Sequence, residues 1–436
     1  MHRSPLRLWL LLATVLATAS GCEFLDTADS ATDDAPLSVT EANAAAFPNL
    51  AGHGLIALRR APDYSAAGIS LLDLAGNIVV EDVANSGSTD PVLGYAIGTD
   101  LAVGRGYLPT SEAVVIDRLN ASLIWLDTEN GSVKAQMSVG EPFYGHNPHD
   151  YLAISPTTAY VARYGLVFAA DGSLDSGDDL LKIDPSTRKV VQTIPLSDWA
   201  SAATQATTPT YARPDALVAV SDAVYVVLQN MTADGSFLSG PAALVVVDPV
   251  TDGVVSRLVT DELENCGDAV LNGPRKELIL VCGGNFAKGP TVQLARSGLW
   301  IVDVSDPFAP TTKKLLFAAD FAKQPLADVI ALINGTHVAV ISYGQTDWAT
   351  GDVLENETIY AVNVSDGTAT EIYSAAGAYA TTLFADPVHQ RLFVGDGTLA
   401  TPVIGVYATD LSAPAITLLG ERSFADGFVP SAFGLY

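Results

Sequence analysis

The sequence predicts an all-β protein, a seven-bladed β-propeller of four-stranded antiparallel blades whose first blade is closed by the C-terminal strand. Three observations predict it. A β-rich run, a polar turn and a second β-rich run recur roughly every 45–65 residues. A second hairpin stands upstream of most copies, which makes four strands per unit and the period of a propeller blade. No stretch beyond the N-terminal leader has helical periodicity.

The chain begins with an address. MHRSPLR carries positive charge, LWLLLATVLATA is a short apolar core, and small residues lead to Cys22. This pattern predicts a secretory signal over residues 1–21, too short for a membrane span. ASGC (19–22) resembles the lipobox of bacterial lipoproteins, with Ala19 where Leu is commoner. That resemblance implies that Cys22 becomes the lipidated first residue, carrying fatty acyl chains such as palmitate. An ordinary cleaved signal with a chance Cys is the alternative. Several acyl chains at about 0.8 kcal/mol per buried CH₂ would hold the protein durably on a membrane. Glu23 after the Cys implies, by the same analogy, the outer membrane of the cell envelope. Residues 22–46 carry six acidic and no basic side chains and read as a flexible tether. Residues 47–436 are the expected propeller.

The hairpins follow in order: ISLLDLAGNIVVEDV (69–83), SLIWLDTENGSVKAQMSV (122–139), LLKIDPSTRKVVQTIPL (180–196) and LVVVDPVTDGVVSRLVT (244–260). LWIVDVSDPFAPTTKKLLF (299–317), IYAVNVSDGTATEIYSA (359–375) and VIGVYATDLSAPAITLLGE (403–421) complete the set. The upstream partners include DYLAISPTTAYVARYG (150–165), DALVAVSDAVYVVLQN (215–230), DAVLNGPRKELILVCGG (268–284), DVIALINGTHVAVISYG (328–344) and TTLFADPVHQRLFVGDG (381–397). The first unit has only three strands, and GFVPSAFGLY (427–436) has no local partner. It is expected to supply the missing innermost strand and close the ring. Asp73, Asp127, Asp184, Asp248 and Asp303 recur at the turn, with Asn363 in their place in the sixth unit and the pattern lost at Tyr407. A repeated carboxylate suggests a site, but capping of turn N–H groups explains it more simply.

SPTTAYVARYG followed by LLKIDPSTRKVVQTIPL is similar to the bacterial YVTN-type propeller repeat of surface-layer and quinoprotein-like proteins. YVTN itself is absent and the spacing is looser than in that family. The resemblance implies the fold. Its members bind, adhere and scaffold, and related propellers are enzymes.

Cys266 and Cys282 flank the NGPRK turn and face each other across the expected hairpin, which in an exported chain predicts a disulfide. A thiol nucleophile is the alternative, and neither cysteine has an adjacent His. With 22 basic and 49 acidic residues the net charge is −27, becoming −29 once Arg3 and Arg7 leave with the signal. Nucleic acid is excluded as a partner by that charge. A monomer is expected.

The long connections, among them 140–149, 165–179, 197–214, 231–241, 284–298 and 344–357, all belong to one face. That face is expected to be functional, with Tyr144, Trp199, Tyr211, Phe286 and Trp348 on it. GHNPHD places His146, His149 and Asp150 at the channel mouth, where a transition metal or acid–base chemistry would suit them; hydrogen-bonded loop histidines are the plainer reading. Asp171, Asp175, Asp178 and Asp179 offer oxygen to Ca²⁺, against a merely solvated acidic loop. No nucleophile-elbow, zinc-protease, Walker or dinucleotide motif occurs. The leading expectation is therefore a lipid-anchored binding or scaffold module for a protein, glycan or other envelope component. The alternative is a lactonase- or lyase-like propeller enzyme with a metal or histidine site at the channel mouth.

Overall fold

The computed structural model describes residues 54–436 apart from 107–111, 144, 205, 347–352, 376–379, 398–401 and 411–414. The leader, the tether with Cys22, and Tyr144 and Trp348 therefore lie outside the described residues.

Seven blade sheets follow one another, each with four antiparallel strands, and the third also carries a two-residue parallel strand, Arg105–Gly106, along its inner edge. Their inner strands, in chain order from blade 2, are Leu101–Val103, Pro148–Ser155, Pro214–Val220, Cys266–Asn272, Leu326–Leu332 and Ala380–Asp386, and blade 1 uses Val429–Leu435. Each packs against the next, and the last returns to the first, so the inner strands ring a central channel. The two middle strands of a blade are covered on both faces by neighbouring blades. They accordingly read as continuous apolar runs, such as Ala223–Leu228 and Glu277–Cys282, buried throughout. Outer strands such as Gly253–Glu264 alternate toward solvent.

Ring closure is as the sequence predicts. Leu55–Arg60 pairs with Val429–Leu435, and Gly54 and Tyr436 exchange backbone hydrogen bonds. Arg59, 2% exposed, fastens the junction. Its guanidinium donates to Asp82 Oδ1 at 2.7 Å and to the Glu81 carbonyl at 2.8 Å, and it pairs with Asp426 just before the closing strand. The rings of Phe424 and Phe428 lie 5.3 and 5.7 Å from it.

Cys266 and Cys282 sit opposite each other in blade 5 and are joined by a disulfide. Closing that loop contributes about 3 kcal/mol. The repeated aspartates cap turns: Asp184 Oδ1 accepts from the Ser186 N–H at 2.9 Å, and Asp73, Asp127, Asp248 and Asp303 accept equivalent bonds. In blade 7 the equivalent register position is Ala408, opposite Arg391, one residue beyond Tyr407.

Two connections differ from expectation. Residues 165–179 are not an open loop, because strands Thr158–Phe168 and Leu174–Asp184 extend the blade into a projecting hairpin. Residues 284–298 hold a short α-helix, Pro290–Arg296, opened by Pro after Gly289. Seven residues are too few for periodicity to register.

Candidate functional site

The channel mouth is built by a repeated irregularity. In six of the seven blades the inner strand slips register just after it enters the sheet. The ladder passes over Ser431 in blade 1, His149 in blade 3, Asp215 with Ala216 in blade 4, and Gly267 in blade 5. It passes over residues 327–329, with Asp328 at their centre, in blade 6, and over Thr381 in blade 7. A bulge frees a residue from the alternation of the strand and re-aims its side chain. Here the bulges gather side chains from successive blades at one end of the channel. Antiparallel topology puts this same end beside the long connections.

His149 Nδ1 hydrogen-bonds Asp215 Oδ1, and Gln229 Nε2 donates to the other Asp215 oxygen. Because a carboxylate only accepts, the Nδ1 proton is fixed and His149 Nε2 is left as the basic nitrogen. The His149 ring stacks on Tyr164 with centroids 4.0 Å apart, and the Tyr164 hydroxyl donates to Gln229 Oε1 at 3.0 Å. Below this pair Arg105 crosses the channel. It lies 3.3 Å from Asp150 in blade 3 and 2.8 Å from Asp268 in blade 5. Asp150 and Asp268 also reach the next blade, accepting from the N–H groups of Leu217 at 2.8 Å and Ile330 at 3.4 Å. Arg105 thus ties blades 3 and 5 together at the mouth.

Burial sets the protonation. It pushes the Asp150 carboxyl up to about 7 against the pull of Arg105, and raises Asp328 well above the carboxylate range with help from Asp215 and Asp268. Burial, then the Arg118 charge, holds His149 below its ordinary value although Asp215 opposes them. Glu357, in the connection leading into the third strand of blade 6, is pushed to about 7 by burial. A carboxyl whose folded-state pKa is raised stabilises the fold fully at low pH and loses that contribution as pH rises through the folded value. Glu357 should therefore add about 3 °C or more to the melting temperature as pH falls from 8 to 5, a gain that His149, with its lowered value, opposes and that comparison with Glu357→Gln isolates. Glu357→Gln should flatten the slope in a scanning-fluorimetry series; an unchanged slope contradicts the assignment.

The residues singled out from sequence separate. His149 and Asp150 are at the mouth, but His149 pairs with Asp215 and Asp150 with Arg105. His146 is buried in a connection, accepting from the Glu141 N–H at 2.7 Å and donating to Ser176 Oγ at 3.0 Å. Asp171 caps its own turn through the Ser173 N–H, and Asp175 is exposed. Asp178, fully buried, accepts from the N–H groups of Ala212 and Arg213, while Asp179 holds Arg163. Trp199 packs half-buried between blades 3 and 4. No group of three His, Cys, Asp or Glu side chains converges in a metal-binding arrangement among the described residues. Asp215, Asp268, Asp328 and Arg105 were not among the sequence candidates. The signal was present: the upstream hairpins of four successive units open on Asp150, Asp215, Asp268 and Asp328.

No family model and no curated protein matches the sequence. Solved structures do. A hypothetical selenium-binding protein from Sulfolobus tokodaii superposes with a TM-score of 0.57 at 9% identity, covering 88% of this chain and 93% of its own. A putative 6-phosphogluconolactonase from Bacteroides uniformis gives 0.53 at 14% identity over 88% and 100%. The Cps50 (Swd1) β-propeller domain of Myceliophteria thermophila gives 0.51 at 10% over 83% and 97%. Likeness at such identities speaks for architecture alone: the chain is a seven-bladed β-propeller closed by its C-terminal strand.

Proposed function

We propose that this chain is a lipid-anchored envelope protein whose propeller binds its partner on the face that holds the channel mouth. The observation that carries the reading is the concentration of groups suited to recognition on that one face. Beside the bulged inner strands lie aromatic rings, Phe168, Phe237 and Phe286 exposed and Tyr211 half-buried. Phe168 stands 5.8 Å from Tyr211, and Phe237 stands 5.7 Å from Phe286. Phe237 is 51% exposed and holds a φ of 54°, a conformation costly for a bulky side chain. A ring kept in water at that cost is suited to anchoring a partner.

Phe237→Ser with Phe286→Ser should weaken partner binding at least about tenfold with the melting temperature unchanged. Full binding by the double variant, measured by pull-down with a partner first captured on the wild-type protein by in-cell cross-linking, rules the reading out. Anchoring rests on the ASGC motif, and Cys22→Ala should move the protein from the membrane to the soluble fraction.

A second reading is favoured by the His149–Asp215 pair. A histidine oriented by a carboxylate, with Nε2 basic near neutral pH, is equipped as a general base. The surrounding carboxylates disfavour an anionic phosphoester, so a substrate on this reading is neutral or cationic. Hydrolysis of an uncharged lactone, abolished by His149→Ala, would support it.

A further inference from the structure

At its bulge blade 5 carries a glycine where other blades aim a side chain at the mouth, and this brings its neighbours together. Gly267 and Gly283 stand where other blades carry bulkier residues. A Cβ on Gly267 would meet Asp328 Cγ at 2.7 Å and Asp215 Oδ2 at 3.0 Å. A Cβ on Gly283 would meet Asp328 Oδ1 at 3.0 Å and Asn265 Nδ2 at 3.4 Å. Two carboxylates from blades 4 and 6 thus approach each other across blade 5, with the Asn265 amide beside them.

Their hydrogen bonding is incomplete. Asp328 Oδ1 is shielded from solvent without a partner, and so is the amide oxygen of Asn265, a residue only 5% exposed. Buried acceptors left open in this way are unfavourable, and a donor entering the mouth would satisfy them. Charge points the same way. Asp150, Asp215, Asp268 and Asp328 converge on the channel, which Arg105 crosses, and a cation beside Asp215 would take the place of the proton that burial favours on Asp328. Arg118 is drawn to Asp100, 3.6 Å away.

We propose that the channel mouth binds a primary ammonium group between Asp215 and Asp328, over the gap left by Gly267 and Gly283. The inference rests on the loop face being the binding face. The N–H donors of an ammonium match the Asp215 carboxylate and Asp328 Oδ1, with the Asn265 amide at the edge of the gap. A divalent ion finds no convergent set of three ligands among the described residues. Tyr343, 39% exposed, adds an aromatic ring on the Asp328 side, which suits a cation.

Calorimetry on the full mature chain in detergent at 150 mM NaCl tests this. The probes are 1,4-diaminobutane and Nα-acetyl-lysine methylamide, with tetramethylammonium and calcium chloride as controls for the diffuse pull of an acidic protein. Saturable one-site binding of either probe, weakened at least about tenfold by Asp328→Asn, supports the proposal. Response to the diamine alone assigns a free amine, and response to the lysine compound alone assigns a side chain of a protein partner. Asn265→Asp, which keeps the size and tolerates the left-handed backbone, should tighten binding and shows that any loss is not misfolding. Equal binding by wild type and Asp328→Asn, equal response to tetramethylammonium, or saturable binding of calcium alone overturns it. Should the amine fail while Phe237→Ser with Phe286→Ser still loses the partner, the ammonium site falls and the binding face stands.

Discussion

A chain ending at Gly427 is expected not to fold. The missing residues are the innermost strand of blade 1, and they fill a place that no other segment can take. Their loss would leave Leu55–Arg60 with an unpaired edge and open the packing around Leu55, Ile56, Leu58, Leu71 and Phe393. It would also part blade 1 from blade 7, so the damage is to the ring and not to one sheet. The single substitution Arg59→Ala removes the fastening and keeps the strand. It leaves Asp82 and Asp426, 47% and 31% exposed, to solvent and empties a cleft between Phe424 and Phe428, at a cost of about 1–3 kcal/mol, chiefly lost packing. Circular dichroism and urea titration measure both; a truncated chain that melts like the full one contradicts the closure described here.

Arg105→Leu should be comparably severe, for an electrostatic reason. Arg105 is the bridge between Asp150 and Asp268 across the channel, and without it two enclosed carboxylates face Asp215 and Asp328 uncompensated. With the Arg105 side chain 39% exposed and Asp150 only partly ionised, the expected loss near neutral pH is about 2–3 kcal/mol. The sign of its pH dependence follows from Asp150. Even with Arg105 present, burial raises its carboxyl to about 7, and removing the guanidinium raises it further. The neutral form is tolerated, so the variant should recover much of its stability near pH 5 and lose it as pH climbs past 7. A deficit that is equal at pH 5 and pH 8 would show that Arg105 acts by packing.

The fold was legible because its signals are local. Each hairpin advertises itself by two apolar runs around a turn, and Asp184 with Pro185 states its turn chemistry within a few residues. The orphan status of 427–436 was visible for the same reason. The channel mouth was harder to read because its logic is non-local. His149 meets Asp215 across 66 residues, and Arg105 meets Asp268 across 163. The repeated Asp at the start of the inner strands was in view, but only the bulges decide which of those carboxylates turns toward the channel and which binds the next blade. His146 and His149 look like a pair in GHNPHD, yet a positive φ at Asn147, 39°, and the bulge beyond it send them to different places. The acidic run at 171–179 divides likewise, because strand extension buries Asp178 and Asp179 and leaves Asp171 in water.

The central claim is that partners are taken at the end of the ring that holds the channel mouth. Blade 4 offers a matched pair of positions for testing it. Phe237 lies in the connection between its second and third strands, and Val250, 88% exposed, lies in the turn at the opposite end. A photoreactive benzoylphenylalanine at each, irradiated in living cells, reads the two faces separately. Cross-linked product from position 237 and none from position 250 is the predicted result. Product from position 250 alone would contradict the claim and move the binding site to the other face.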